Sequence, residues 1–219
     1  MNRDLIKSCA LGFTAGYVDT LGFVALFGLF TAHVTGNFVL IGNELVHPAQ
    51  GILIKFLAFP AFVAGVSVAR LLALGADRNG RPAARPLLLL QWLLLAACML
   101  CGWRAEPIVN ANDGWVLAAG ISGAAAMGVQ NAASRLAFGT LPPTTVMTGN
   151  VTQIVLDIVL LLRVPEKALR ERIGRLAWPV LAFGAGAVLG ACAFVHVSFW
   201  AMALPLLVLA ALAAAPVEG

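Results

Sequence analysis

Charge is scarce in this chain of 219 residues. Asp, Glu, Lys and Arg make up 11% of it, where a water-soluble domain carries about 25%. The sequence has a single Tyr and three His, and no two histidines stand at metal-ligand spacing, so no metal site is expected. It has no Ser-His-Asp arrangement, no phosphate loop and no dinucleotide fingerprint. An enzyme reading has little to stand on, and no cofactor is expected. Basic residues form no stripe interleaved with aromatics, which sets nucleic acid aside as a partner. Four cysteines are present. Cys98 and Cys101 have CxxC spacing, but inside an apolar run and with no second ligand pair, so they read as small buried hydrophobes.

What remains is apolar: 61% hydrophobic residues and a mean hydropathy of +0.93. A fold of this size in water could not hide so much apolar surface, so lipid is the expected solvent and the expected fold class is an all-α integral membrane protein. A helix needs about 20 apolar residues to cross the hydrocarbon layer. Six segments qualify: Ser8–Phe30, Gly51–Leu74, Pro86–Trp103, Gly114–Phe138, Arg172–Val195 and Phe199–Ala214. Thr35–Val46 and Thr148–Leu162 are shorter, and read as half-helices or re-entrant segments. The first stretch runs past the length of a signal h-region and carries Asp19, so it reads as a retained helix.

Charge placement tests this division. Arg78, Arg81 and Arg85 share one loop, Lys167, Arg170 and Arg172 another, and Arg3 and Lys7 mark the N-terminus. All three segments should face the cytoplasm. They do so together if six segments cross fully and the two short ones do not. The expected location is a bacterial inner membrane, multi-pass, with both termini cytoplasmic. Eight full spans with an imperfect charge rule are the alternative.

The chain also repeats itself. Thr31-Ala32-His33-Val34-Thr35-Gly36-Asn37 matches Thr144-Thr145-Val146-Met147-Thr148-Gly149-Asn150. Upstream, Gly16-Tyr17-Val18-Asp19 matches Gly128-Val129-Gln130-Asn131; downstream, Leu57–Pro60 matches Leu176–Pro179, with Gly65 and Gly184 following. Repeat one covers about 8–103 and repeat two about 114–215, in a single membrane domain. Each copy holds three full spans, an odd number, so the second should lie inverted relative to the first, as in many secondary transporters.

A helix beginning at Thr35 or Thr148 leaves backbone N–H groups unpaired and carries partial positive charge. Gly36 and Gly149 allow close approach, and Asn37 and Asn150 add short polar side chains. Two such starts facing each other would make a site for an anion or polar solute, with Gln130 and Asn131 lining it. The plainer alternative is that these residues cap their own short helices. Asp19, mid-span, and the repeat-equivalent Glu44 and Asp157 are candidates for proton coupling, because carboxylates at membrane depth are costly. Each has a plainer role too: Asp19 as a structural hydrogen-bond partner, the other two as interfacial groups. Lys55 reads as a snorkelling anchor, and Arg135 either snorkels to the interface or neutralises an acid or holds an anion with its guanidinium. Gly186 and Gly190 form a Gly-x-x-x-Gly pair, suited to packing within the chain or between protomers.

These paired motifs, Gly16–Asp19 with Thr31–Asn37 and Met127–Ala132 with Thr144–Asn150, resemble the YoaK-like family of small bacterial inner-membrane proteins of unknown function. The resemblance spans nearly the whole chain. It implies a multispanning membrane protein and supplies no substrate. The expected function is a small secondary transporter or channel for a small anionic or polar solute. The rival is a non-transporting scaffold or partner-binding module. A homodimer is one way for a chain with six full spans to complete a barrier. A polar cavity between the two half-helix starts would favour transport; a dry, satisfied contact would favour the scaffold.

Overall fold

The computed structural model describes residues 3–215. Among them every regular element is helical: α1 (Arg3–Ala25), α2 (Val34–Val46), α3 (Ile52–Arg78), α4 (Ala84–Arg104), α5 (Gly114–Leu136), α6 (Met147–Leu161), α7 (Lys167–Val197) and α8 (Ala203–Ala214), with a 3-10 turn at Ser198–Met202 joining the last two. This is an all-α membrane protein. The six long segments expected from the sequence correspond to α1, α3, α4, α5, α7 and α8, and the two short ones to α2 and α6.

By length and hydropathy α3, α4, α5 and the continuous Lys167–Ala214 stretch qualify as membrane spans. α1 does not, because Thr14, Tyr17, Asp19 and three glycines interrupt its apolar run. It also ends sooner than expected, at Ala25. Phe27 and Gly28 turn the chain away with positive φ values of 53° and 76°. The residues through this break are apolar, so hydropathy does not register it.

Helix packing follows a pattern. α1 lies along α7, and α3 lies along α5. Glycines let both pairs touch through their backbones. A Cβ added to Gly16 would come 2.1 Å from the Phe183 carbonyl oxygen, and one on Gly186 would come 2.2 Å from that of Phe13. In the other pair, a Cβ on Gly128 would lie 2.4 Å from the Phe62 oxygen and one on Gly65 2.2 Å from that of Ala125. The two crossings are thus built alike, residue for residue. The register corrects one sequence match: Gly186, not Gly184, holds the place of Gly65, and Gly184 faces open space. The Gly186/Gly190 pair is an intrachain contact, with Gly190 against the Tyr17 carbonyl.

α2 packs on α3, and α6 on α7. α4 joins α5 and α8, tied by the Trp92 indole N–H donating to the Leu206 carbonyl at 3.0 Å. The Tyr17 hydroxyl donates to the Ala201 carbonyl at 2.9 Å. The outer faces of α3, α6 and α7 expose Leu71, Val155, Leu181 and Val188, as lipid contact requires.

Candidate functional site

Each short helix is preceded by an irregular lead-in, and each lead-in is pinned to the middle of a long helix. Asp19 of α1 holds the first. Its Oδ1 accepts the backbone N–H of Ala32 at 2.6 Å, with Thr31 Oγ1 and the His33 N–H at 3.4 Å. Its Oδ2 lies 2.6 Å from His33 Nδ1. The carboxylate therefore gathers the unpaired donors that precede α2. Asn37 completes the arrangement. Its side-chain amide donates to the Phe30 carbonyl at 2.8 Å and its oxygen accepts the Phe30 N–H at 2.9 Å.

The second lead-in is held by amides. Asn131 donates to Thr145 Oγ1 at 2.7 Å. Gln130 donates to the Leu11 carbonyl of α1 at 2.8 Å and to Thr144 Oγ1 at 3.1 Å. Gln91 of α4, a lone amide in an apolar run, donates to Gln130 Oε1 at 2.6 Å. Asn150 donates to the Pro143 carbonyl at 2.9 Å. Pro143 has no N–H to return, so this clasp has one bond where Asn37 has two.

The helices begin one residue earlier than expected, at Val34 and Met147, and their N-caps, His33 and Val146, make no side-chain cap bond. Thr35, Thr148 and Gly149 are exposed and Gly36 is half-exposed, while Asn37 and Asn150 are buried. Each Asn turns back on its own lead-in rather than towards its counterpart. The lead-ins meet α1 at two levels, near Leu11 and Asp19, about 12 Å apart at 1.5 Å rise per residue.

Glu44 and Asp157 are buried in ion pairs. Lys55 Nζ donates to Glu44 Oε1 and to the Phe27 carbonyl, both at 2.5 Å. Lys55 is 1% exposed, so it is no snorkelling anchor. The lysine is drawn inward because the turn after α1 aims a free carbonyl at it. Arg172 grips Asp157 with two bonds, one of them Nε to Oδ2 at 2.6 Å, and Gln153 adds a third at 2.7 Å. In both halves the pair ties the short helix to the long one that follows. Glu44 keeps its Oε2 buried without a partner among the described residues, and Asp19 is the carboxylate with an imidazole beside it. Arg135 is exposed, as a snorkelling side chain requires.

Two adjoining clefts open beside the second lead-in. One, of about 130 Å³, is lined by Asp4, Ser8, Thr140, Pro142 and Arg175. The other, of about 400 Å³, shares Thr140, Pro142 and Arg175 and adds Gln153 and Arg172. Ser8 is 1% exposed and its hydroxyl has no partner among the described residues, a condition that costs about 1–3 kcal/mol when left unrelieved. Deeper in the bundle, Thr14 Oγ1 and Gln91 Oε1 are likewise buried without partners. The sequence reading singled out none of Ser8, Gln91 and Arg175. A lone Gln within Leu88–Leu95 was the visible signal for one of them.

Broken helices pinned to a core of longer apolar ones define an all-α membrane protein with internal polar joints. The chain belongs to the DUF1275 family of proteins of unknown function, which matches residues 8–215. It is also 31% identical over 197 residues to the UPF0700 transmembrane protein YoaK of Bacillus subtilis (strain 168), covering 85% of this chain and 84% of that protein. No solved structure matches it.

Proposed function

We propose that this protein is a small secondary transporter or channel for a small anionic or polar solute, acting in a bacterial inner membrane with both termini in the cytoplasm. The observation that carries the reading is the repeated crossing: Gly16 and Gly186 in α1 and α7 are matched by Gly128 and Gly65 in α5 and α3. Such a match is what an inverted repeat would produce. Two like crossings give two like arrangements, and exchange between them is the basis of alternating access. The Thr-Gly-Asn segments then serve as staples that carry the lead-ins with their helices, rather than as ligand contacts. Asp19 with His33 is the coupling element, an imidazole hydrogen-bonded to a buried carboxylate.

The deciding experiment is uptake by proteoliposomes of labelled small oxyanions and amino acids, with and without a pH gradient. Flux that a pH gradient drives, and that Asp19→Asn uncouples from the gradient in a folded protein, supports the proposal. A panel that never exceeds protein-free vesicles overturns it. The rival reading, a partner-binding membrane module, is favoured by the satisfied clasps at Asn37 and Asn150, and that same silent panel would leave it standing.

A further inference from the structure

The two halves are alike at their crossings and unlike at one place. Ser8 lies eight residues before Gly16, and Gly120 lies eight before Gly128. Arg175 stands eleven residues before Gly186, as Ile54 does before Gly65. Pro142 precedes the clasping Asn150 by eight, as Leu29 precedes Asn37. Ser8, Arg175 and Pro142 surround the smaller cleft. Their counterparts Gly120, Ile54 and Leu29 form a solid plug: a Cβ on Gly120 would come 2.6 Å from Ile54 Cδ1 and 2.9 Å from Leu29 Cδ2. Ile54 and Leu29 are fully buried.

We infer that the Ser8–Arg175 cleft binds a small oxyanion, a carboxylate or an inorganic anion, and that the structure is open on this face and closed at the Gly120–Ile54–Leu29 plug. The proposal rests on the transporter reading above and names its substrate class. Several observations carry it. Arg172 is committed to Asp157, whereas Arg175 is exposed and forms no ion pair with an acid among the described residues. A guanidinium presents a planar fork of donors that matches two oxygens of an oxyanion. The buried Ser8 hydroxyl lines the same cleft with a hydrogen bond to give. The one acid lining it, Asp4, lies near Lys7, at 4.0 Å. Asp19 follows on the face of α1 that carries Ser8, about 16 Å further along the axis.

The test is titration calorimetry of the detergent-purified full chain with inorganic phosphate, sulfate and acetate at constant ionic strength. Saturable binding of at least one is expected. Arg175→Gln should weaken it about tenfold or more, the loss of a charge-assisted hydrogen bond. Ser8→Ala should weaken it less, and Arg81→Gln, in a separate basic loop, should not change it. No saturable binding to the folded chain, or binding that Arg175→Gln leaves intact, overturns the site. The closed half is tested in a chain whose four cysteines are replaced by Ala. A water-soluble thiol reagent should label Pro142→Cys and spare Leu29→Cys, with Ile54→Cys as the second reporter should Leu29→Cys fail to fold. Equal labelling overturns the plug. Binding without proteoliposome flux would remove the transporter reading and leave the site. Flux that Arg175→Gln does not alter would remove the site and leave the transporter.

Discussion

Lys55 and Glu44 meet at 2.5 Å inside the bundle, and the same lysine donates to the Phe27 carbonyl in the turn that ends α1. One ammonium thus holds three elements: the turn, α2 and α3. Removing one partner of a buried pair strands the other charge, at a cost of about 3–5 kcal/mol. Lys55→Met alone should destabilise the protein by about that amount. Glu44→Gln together with Lys55→Met should recover much of the loss. Thermal unfolding in detergent of the two single variants and the double variant checks this.

The crossings predict a contrast among glycines. Gly16→Ala or Gly65→Ala drives a methyl group into a backbone oxygen, and overpacking of this kind costs about 1–3 kcal/mol. Gly184→Ala and Gly75→Ala meet nothing within 4 Å. They should be neutral or slightly stabilising, since Ala is the better helix former by about 1 kcal/mol. Melting temperatures of the four variants would show the split, and equal shifts would contradict the described register.

The Asn clasps predict an asymmetry. Asn37→Ala removes two hydrogen bonds to Phe30, and Asn150→Ala removes one to Pro143 and a weaker one to Met147 Sδ. With about 1 kcal/mol net per bond, Asn37→Ala should be the more damaging by about that amount. Thr35→Val and Thr148→Val, at exposed positions, should leave unfolding unchanged. Chemical denaturation in mixed micelles would compare them.

The amide chain predicts a coupling. Gln91→Leu removes the donor to Gln130 Oε1 and leaves a buried acceptor unpaired, at about 1–3 kcal/mol. Gln91→Leu and Thr144→Val act on neighbours in one network, so a double-mutant cycle should be non-additive by about 0.5 kcal/mol or more. Strict additivity would argue that Gln130 does not link α4 to the second lead-in.

Much of this architecture was readable from residue order. The apolar runs place all eight helices, and the paired Thr-Gly-Asn blocks mark where α2 and α6 begin, but run length does not sort them: α8, at 12 residues, is shorter than α2 at 13 and α6 at 15, because the 3-10 turn at Ser198–Met202 takes up the start of its apolar run. The packing partners were less readable. Pro60 and Pro179 suggest one register for the repeat, but the backbone contacts of Gly65 and Gly186 impose another two residues away, because close approach selects for absence of a side chain and not for sequence likeness. Asp19 was visible as a costly acid, yet its partners Ala32 and His33 sit across a turn hidden in apolar residues. Lys55 looked like an interfacial anchor, since nothing local reveals that the Phe27 carbonyl points at it. Arg175 was one basic residue among several in its loop, and only the fold separates it from Arg172, which Asp157 holds.

The pairing of α1 with α7 and of α3 with α5 also bears on biogenesis. Chain emerging from a ribosome would insert α1 to α4 with the glycine face of α1 bare and the Gly65 face of α3 waiting for α5. α1 finds its neighbour only after Gly186 and Gly190 have been synthesised. The halves are interlaced rather than stacked, so the nascent first half has no finished structure of its own. Final assembly must be a late event within the bilayer, dependent on the last quarter of the polypeptide.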